Sequence, residues 1–446
     1  MSNQLFNKLL ILGSVFVLTS CGSTSTGSLK GATLLRSPEK LSHNYSYDIV
    51  NSDAYLSFKD KMRQFSSSLS ESVIKREFKE NKNITLSPLS IELCLGLAIR
   101  GASSTTRDEL LNAFGVDYQT FNQYYKTYFN QMSLERTDYE SKKIMSQVLL
   151  TNSIWIDNDI TLKDSGLDAL QDDYYCYSYH VDFDQDNKNA NKAMQDFIKD
   201  KTKGLINPQL NFDINTLFVL MNTLYLKDIW NDMGNDLSLA DKDIKFTNLN
   251  GQISNKQLLS GYYFNGKALT TSDYSCFFTE TFSGFRLYFI KPNEGKELKT
   301  IFNKDNLNYV LDNSHYIYKD DVKLERYHTQ CVFPEYKAEC DIDLKSVLKD
   351  DYNIKTIFDR DRCEFNNLTD LDVYCSDVKH IAKLEVNKKG IEGAAVTMMA
   401  MAGNAAPEID PYEDIFETFL VDKEFGFVLT YQDNDVLFSG TVTNID

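Results

Sequence analysis

Proline is scarce in this chain, seven residues in 446, and histidine scarcer still at five. No Pro-, Gly- or Ser-rich tract interrupts the sequence beyond about residue 52, so one large domain is expected there. The histidines (His43, His180, His315, His328, His380) form no HExxH, and neither GxSxG nor a glycine-rich phosphate loop occurs. A hydrolase or nucleotide enzyme built on those motifs is therefore disfavoured. Setting Cys21 aside, seven cysteines remain: Cys94, Cys176, Cys276, Cys331, Cys340, Cys363 and Cys375. An odd number without CxxC spacing indicates neither a disulfide framework nor a zinc site. Those in apolar strings, such as Cys94 in ELCLGLAI, read as small core residues. Basic clusters are missing too: 64 acidic against 47 basic residues give a formal charge of −17, which argues against nucleic acid as a partner. DFDQDNKNANKA (182–193) hints at a calcium loop, but Asn187 stands where Gly is needed and Ala193 where a bidentate Glu is needed. It is read as a solvated turn, and no metal or cofactor is expected.

What is present suits a globular protein: 42% hydrophobic residues, 13% aromatic. The start is not part of the fold. Lys8 precedes the apolar run LLILGSVFVLTS, too short and too early for a transmembrane span. Leu18-Thr19-Ser20-Cys21 followed by Gly22 resembles the lipobox of bacterial lipoproteins. The resemblance implies a signal peptide over 1–20, lipidation of Cys21, and a protein held outside the cytoplasm on a bacterial membrane. The GSTSTGS stretch reads as a flexible leash, and residues 21–51 as a polar, structure-poor tether.

From residue 52 to Asp446 the pattern predicts an α+β domain. Phe58, Met62, Phe65, Leu69 and Val73 recur at helical spacing. A second helix starts at Ser87-Pro88, a cap followed by Pro in the first turn, and stops near Gly101. A third runs from Ser104-Thr105-Thr106, with Glu109 as a capping-box partner, to Phe114-Gly115. Strand-like runs lie at 148–156, 217–226, 285–290, 425–431 and 436–442. The run at 217–226 is apolar almost throughout, so it is placed mid-sheet, covered on both faces.

One stretch stands apart. KKGIEGAAVTMMAMAGNAAP (388–407) carries no charge from Gly393 to Pro407, in a chain whose charged residues make up 25% of the total. In strand alternation Ile391, Gly393, Ala395, Thr397, Met399 and Met401 share one face, while Glu392, Ala394, Val396 and Met398 share the other. A segment that must live in water as a loop yet fit between packed strands needs this pattern: small and neutral inward, and free of Pro. A buried Ala/Met-rich helix is the bland alternative.

Several blocks in order settle the choice, because together they resemble the serpin family. Asn83, Ser87-Pro88, Ser90, Arg100-Gly101-Ala102 and Thr106 look like the serpin second and third helices. Asn152-Ser153-Ile154-Trp155 is similar to the family's N-A-I-W strand. Lys203-Gly204 and Ile206, then Met221-Asn222-Thr223-Leu224-Tyr225 with Lys227 and Trp230, resemble KGKI followed by VNAIYFKGxW. Phe419, Asp422, Phe425, Phe427, Leu437-Phe438, Gly440 and Val442 are similar to the closing strands. The likeness spans residues 52–446 and implies a large central mixed sheet, further β-sheets and an exposed reactive loop at about 388–410.

It also implies residue roles. Gly390 is the hinge; Ile391, Glu392, Gly393, Ala394, Ala395, Val396 and Thr397 begin the inserting loop. The scissile bond falls at Asn404–Ala405, with Ala402 or Ala406 one or two residues away. Asn83, Ser87, Ser90, Asn222 and His380 form a polar cluster beneath the sheet, and Trp230 lies under the insertion point. The implied activity is protease inhibition by suicide-substrate trapping. The small, uncharged bait suits elastase-like serine or papain-like cysteine proteases, acting on a monomeric inhibitor that supplies no catalytic group. Two departures stand out: Lys388-Lys389 replace the acidic residues usual before the hinge, and Ile391 replaces Thr or Ser. A non-inhibitory surface lipoprotein acting as a binding module is the rival from another class.

Overall fold

The computed structural model describes residues 29–41, 45–138, 142–231, 236–313, 319–320, 323–376, 378–391, 412–431 and 435–446. The signal-like segment, Cys21, Glu392 to Thr397, and Asn404–Ala405 lie outside the described residues.

Strand β1 (Ala32–Arg36) comes first, then α1 (Asp53–Glu77), whose Phe58, Met62, Phe65, Leu69 and Val73 are all buried as helical periodicity requires. Strand β2 (Ile84–Leu86) leads to α2 (Pro88–Gly101), capped by the Ser87 hydroxyl, which accepts the Ser90 amide at 3.2 Å. Helix α3 (Ser104–Phe114) ends at Gly115, whose φ of +67° is the left-handed stop. The capping box expected here does not form. Glu109 instead accepts the amides of Lys355 and Thr356 at 2.6 and 2.7 Å, capping a neighbouring turn.

There follow α4 (Tyr118–Met132), β3 (Ile144–Asp157), α5 (Asp164–Tyr174), β4 (Cys176–Val181), α6 (Asn187–Lys201) and β5 (Phe218–Ile229). The longer strands that follow, with the two-residue β12, are β6 (Leu259–Asn265), β7 (Tyr274–Glu280), β8 (Arg286–Pro292), β9 (Glu325–Phe333), β10 (Tyr336–Asp343), β11 (Lys379–Asn387), β12 (Gly390–Ile391), β13 (Glu413–Leu420), β14 (Phe425–Tyr431) and β15 (Asp435–Val442).

Among the described residues these strands form three sheets. The largest is mixed, with the order β1-β4-β3-β5-β12-β11-β10. The second contains β2-β15-β14-β8-β7, and the third is built on β6, β9 and β13. Helices α1 to α5 and one face of the large sheet share the main apolar core. On the opposite face α6 seals a smaller cluster around Trp155, Tyr179 and Phe197. The architecture is α+β, as the pattern predicted.

Two expectations need correction. Part of the supposed tether is folded: β1 pairs antiparallel with β4, and Arg36 bonds Asp164 and Asp168 at 2.8 and 3.0 Å. Its five residues form a half-exposed edge strand, so its alternation is too weak to read. The acidic stretch 182–193 is not simply a turn either. Asp182 Oδ1 accepts the Gln185 amide at 2.6 Å, and α6 then begins at Asn187.

Candidate functional site

The large sheet has an unusual centre. Strand β12 is only two residues long, yet it pairs on both sides: Gly390 with Ile229 and Asn387, Ile391 with Asp228 and Val386. Beyond Ile391, no described residue pairs with Phe218–Lys227 of β5 or Lys379–Glu385 of β11 on the edges that face each other. Residues 218–222 of β5 are therefore only half-buried, not sealed on both faces as the apolar run suggested. A cavity of about 60 Å³ lies along this seam, lined by Val219 to Leu224, by Lys379 and Ile381 of β11, and by apolar residues of α6 and the segment after it. Among the described residues this seam is a slot between β5 and β11 whose one end is filled by β12.

The residues at that end are tightly fitted. Gly390 has φ +146°, and a Cβ there would lie 2.1 Å from the Asp228 carbonyl oxygen. Only glycine lets the two backbones approach so closely. Ile391 is fully buried, turned inward. Trp230 is also fully buried, and its indole N–H donates to the Asn387 carbonyl at 2.7 Å. The lysines that precede the glycine are held on the rim: the Lys388 amide donates to Glu335 at 2.7 Å and its Nζ lies 3.4 Å from Asp236.

Midway along the slot, four of the five expected cluster residues come together around the start of α2. The Ser90 hydroxyl donates to Asn222 Oδ1 on β5 at 2.6 Å. The Ser87 amide donates to His380 Nε2 on β11 at 3.1 Å. The Ser90 amide to Ser87 hydroxyl bond links the two halves. Burial holds the His380 ring down at about 4, so it is neutral and Nε2 is free to accept. Asn83 does not join them. It ties down the C-terminal end instead, donating to the carbonyls of Lys337 and Asn444 at 2.9 and 2.6 Å and accepting the Thr443 amide.

One member escaped sequence reasoning. Asn152 accepts from Asn222 Nδ2 at 2.9 Å and donates to the Tyr125 hydroxyl and the Tyr174 carbonyl at 3.0 and 2.7 Å. Its signal was the polar triplet Thr151-Asn152-Ser153 inside the strand-like run 148–156. Asp228 escaped as well. It sits between Lys227 and Trp230 in an otherwise matching block, and it is fully buried. Among the described residues no group of His, Cys, Asp and Glu is placed to hold a metal, and no helix is long and apolar enough to cross a membrane.

A helical layer backing a large mixed sheet, its two central strands bridged at one end by a two-residue strand that starts at Gly390, sets the class of fold. The family described as Serpin (serine protease inhibitor) matches residues 60–445, and the chain belongs to it. Iripin-1 of Ixodes ricinus is 26% identical over 375 residues, 82% of this chain and 89% of the relative. Neuroserpin of Homo sapiens is 25% identical over 381 residues, 81% and 86% of the two chains. The native-state structure of tengpin, a thermophilic serpin, shares the fold with a TM-score of 0.69 at 20% identity, covering 93% of this chain and 100% of that one.

Proposed function

We propose that the protein inhibits a protease as a suicide substrate: the protease cuts the loop, the freed N-terminal part slides into the slot, and the acyl-enzyme is carried along. The observation that carries this reading is the slot itself, bounded by β5 and β11 and started by Gly390–Ile391. Ile391 stands opposite Asp228 and Val386. Stepping two residues at a time from there would set Gly393 between Leu226 and Leu384, Ala395 between Leu224 and Ala382, and Thr397 between Asn222 and His380. These are the small, neutral side chains of the inward face; apart from half-buried Asn222, the positions they would meet are buried and leave little room for larger ones. Glu392 would face outward, beside Lys227. The uncut form is then a kinetic trap, unable to insert its loop while both ends are tethered.

Within this reading the bond is Asn404–Ala405, and the targets are proteases that accept small uncharged residues, elastase-like serine or papain-like cysteine enzymes. Cleavage of the purified protein by such an enzyme should leave an SDS-resistant complex and a large rise in melting temperature of the cut inhibitor. Sequencing the released C-terminal fragment assigns the bond. If cutting the loop leaves the melting curve unmoved, the inhibitory reading fails and the binding-module reading takes its place. We further propose that Cys21 carries a lipid that holds the protein outside the cytoplasm. Fatty-acid labelling of the expressed chain, lost in Cys21→Ser, is the corresponding test.

A further inference from the structure

The inhibitory reading uses the neutral ribbon and its hinge but leaves unexplained the acid at the insertion point. Asp228 lies directly across the ladder from Ile391 and is fully buried. Its Oδ2 accepts the Ser283 amide at 3.0 Å; Oδ1 accepts the Ser283 hydroxyl at 3.3 Å and the Ile229 amide at 3.0 Å. The main chain runs the same way, with the Phe282 amide donating to the Ile229 carbonyl at 2.9 Å and Trp230 bridging to Thr281. One side chain thus fastens the end of β5 to the β7–β8 connection of the second sheet, where an incoming strand would enter first. The groups that face it are the hydroxyls of Ser146 on β3 and of Thr281 and Ser283 on the connection, with the aliphatic Ile391 on β12. No cation of the described residues is among them.

We propose that Asp228 is a proton-sensitive positioning residue for strand insertion, keeping the insertion end of the slot packed when protonated and favouring its opening when ionised. The structural half of this proposal stands alone; its consequence for inhibition rests on the reading above.

The sign follows from burial. Desolvation pushes the Asp228 carboxyl up to about 6, with hydrogen bonds from Thr281, Ser283 and Ile229 only partly offsetting it. Opening the end lets water reach the carboxylate and returns it to the ordinary aspartate range. The packed arrangement therefore binds its proton more tightly, and opening is favoured as pH rises toward and through 6, by up to about a hundredfold. His380 works in the opposite sense. It is buried and neutral, so acid favours exposing it. Asp228→Asn leaves His380 in place, so the difference between wild type and that variant isolates Asp228.

The test uses the uncut full-length protein. Amide exchange at Ile229 and Ser283, corrected for intrinsic rate, is followed across the weakly acidic to neutral range. Wild-type protection should fall roughly ten- to a hundredfold relative to Asp228→Asn as pH rises through 6, while the variant stays flat apart from the His380 contribution. Ser283→Ala removes one donor to the ionised form and should move the wild-type midpoint to higher pH; this arm also serves if Asp228→Asn fails to fold. Identical profiles for wild type and Asp228→Asn, or a midpoint unmoved in Ser283→Ala, would overturn the proposal. In a parallel arm, Trp230 fluorescence after loop cleavage should report insertion that quickens through pH 6 in wild type only. If cleavage produces no insertion at all, the inhibitory reading falls while the exchange data still decide the role of Asp228.

Discussion

Asn222 and His380 stand on opposite walls of the slot and are joined through the first turn of α2, by Ser90 at 2.6 Å and by Ser87 at 3.1 Å. A helix N-terminus thus stitches together the two strands that insertion would separate. Ser90→Ala should cost about 1–2 kcal/mol, because Asn222 Oδ1 loses its short partner beneath the sheet. Thermal denaturation of the uncut protein measures this, and an unchanged melting temperature would refute the stitch.

The buried His380 predicts a pH dependence of its own. Its value in the folded protein, about 4, lies below that of the unfolded chain, so the stability it contributes is present above pH 6.5 and is lost as pH falls toward 4. His380→Gln, which keeps an acceptor for the Ser87 amide but does not titrate, should flatten that slope in melting curves recorded over this range.

Glu92 gives the opposite slope. It is buried in α2, accepts the Ser66 and Tyr128 hydroxyls at 2.6 and 3.1 Å, and is pushed up to about 8 by burial, with Asp435 adding to the effect. The unfolded chain releases this proton at ordinary glutamate pH, so the associated stability is present below that range and is lost as pH rises through 8. Glu92→Gln should stabilise the protein by about 1–3 kcal/mol at pH 8 and by less at pH 5. Calorimetry at the two pH values decides it; equal effects would count against a protonated, buried Glu92.

Gly390→Ala places a methyl group against the Asp228 carbonyl and forces a positive φ on an L-residue. The expected cost is about 1–3 kcal/mol, seen as a lower melting temperature of the uncut form. Within the inhibitory reading, Ala395→Asp and Thr397→Pro leave the uncut fold intact but turn the inhibitor into a substrate. A cut Thr397→Pro protein that still gained the full rise in melting temperature would contradict the inserted register.

Truncation before Ser37 removes β1, with it the Arg36 bonds to Asp164 and Asp168 and the packing of Leu29 and Ala32 on the Trp155 cluster. The melting temperature should fall measurably. A truncated protein as stable as the full chain would return residues 29–36 to the role of a simple leash.

The amino-acid sequence by itself determined the elements whose signal is local. The α1 stripe, the Ser87-Pro88 start of α2, the Gly115 stop and the apolar runs of β3, β5, β14 and β15 each follow from periodicity, a cap or a backbone preference that needs no partner. The neutral inward face of the loop, with its one charged residue, Glu392, on the other face, is likewise a property of the sequence. Tertiary structure decided what depends on residues far apart meeting. It gave Glu109 to another turn, Asn83 to the C-terminal end, and Asn152 to the cluster beneath the slot. It folded 32–36 onto a strand some 145 residues away in the chain, Ala32 opposite Val181. It also put Asp228 against Ser283. A polar side chain carries no mark of its partner: hydrogen bonds are short-ranged and directional, so which donor meets which acceptor is settled only when the chain has packed.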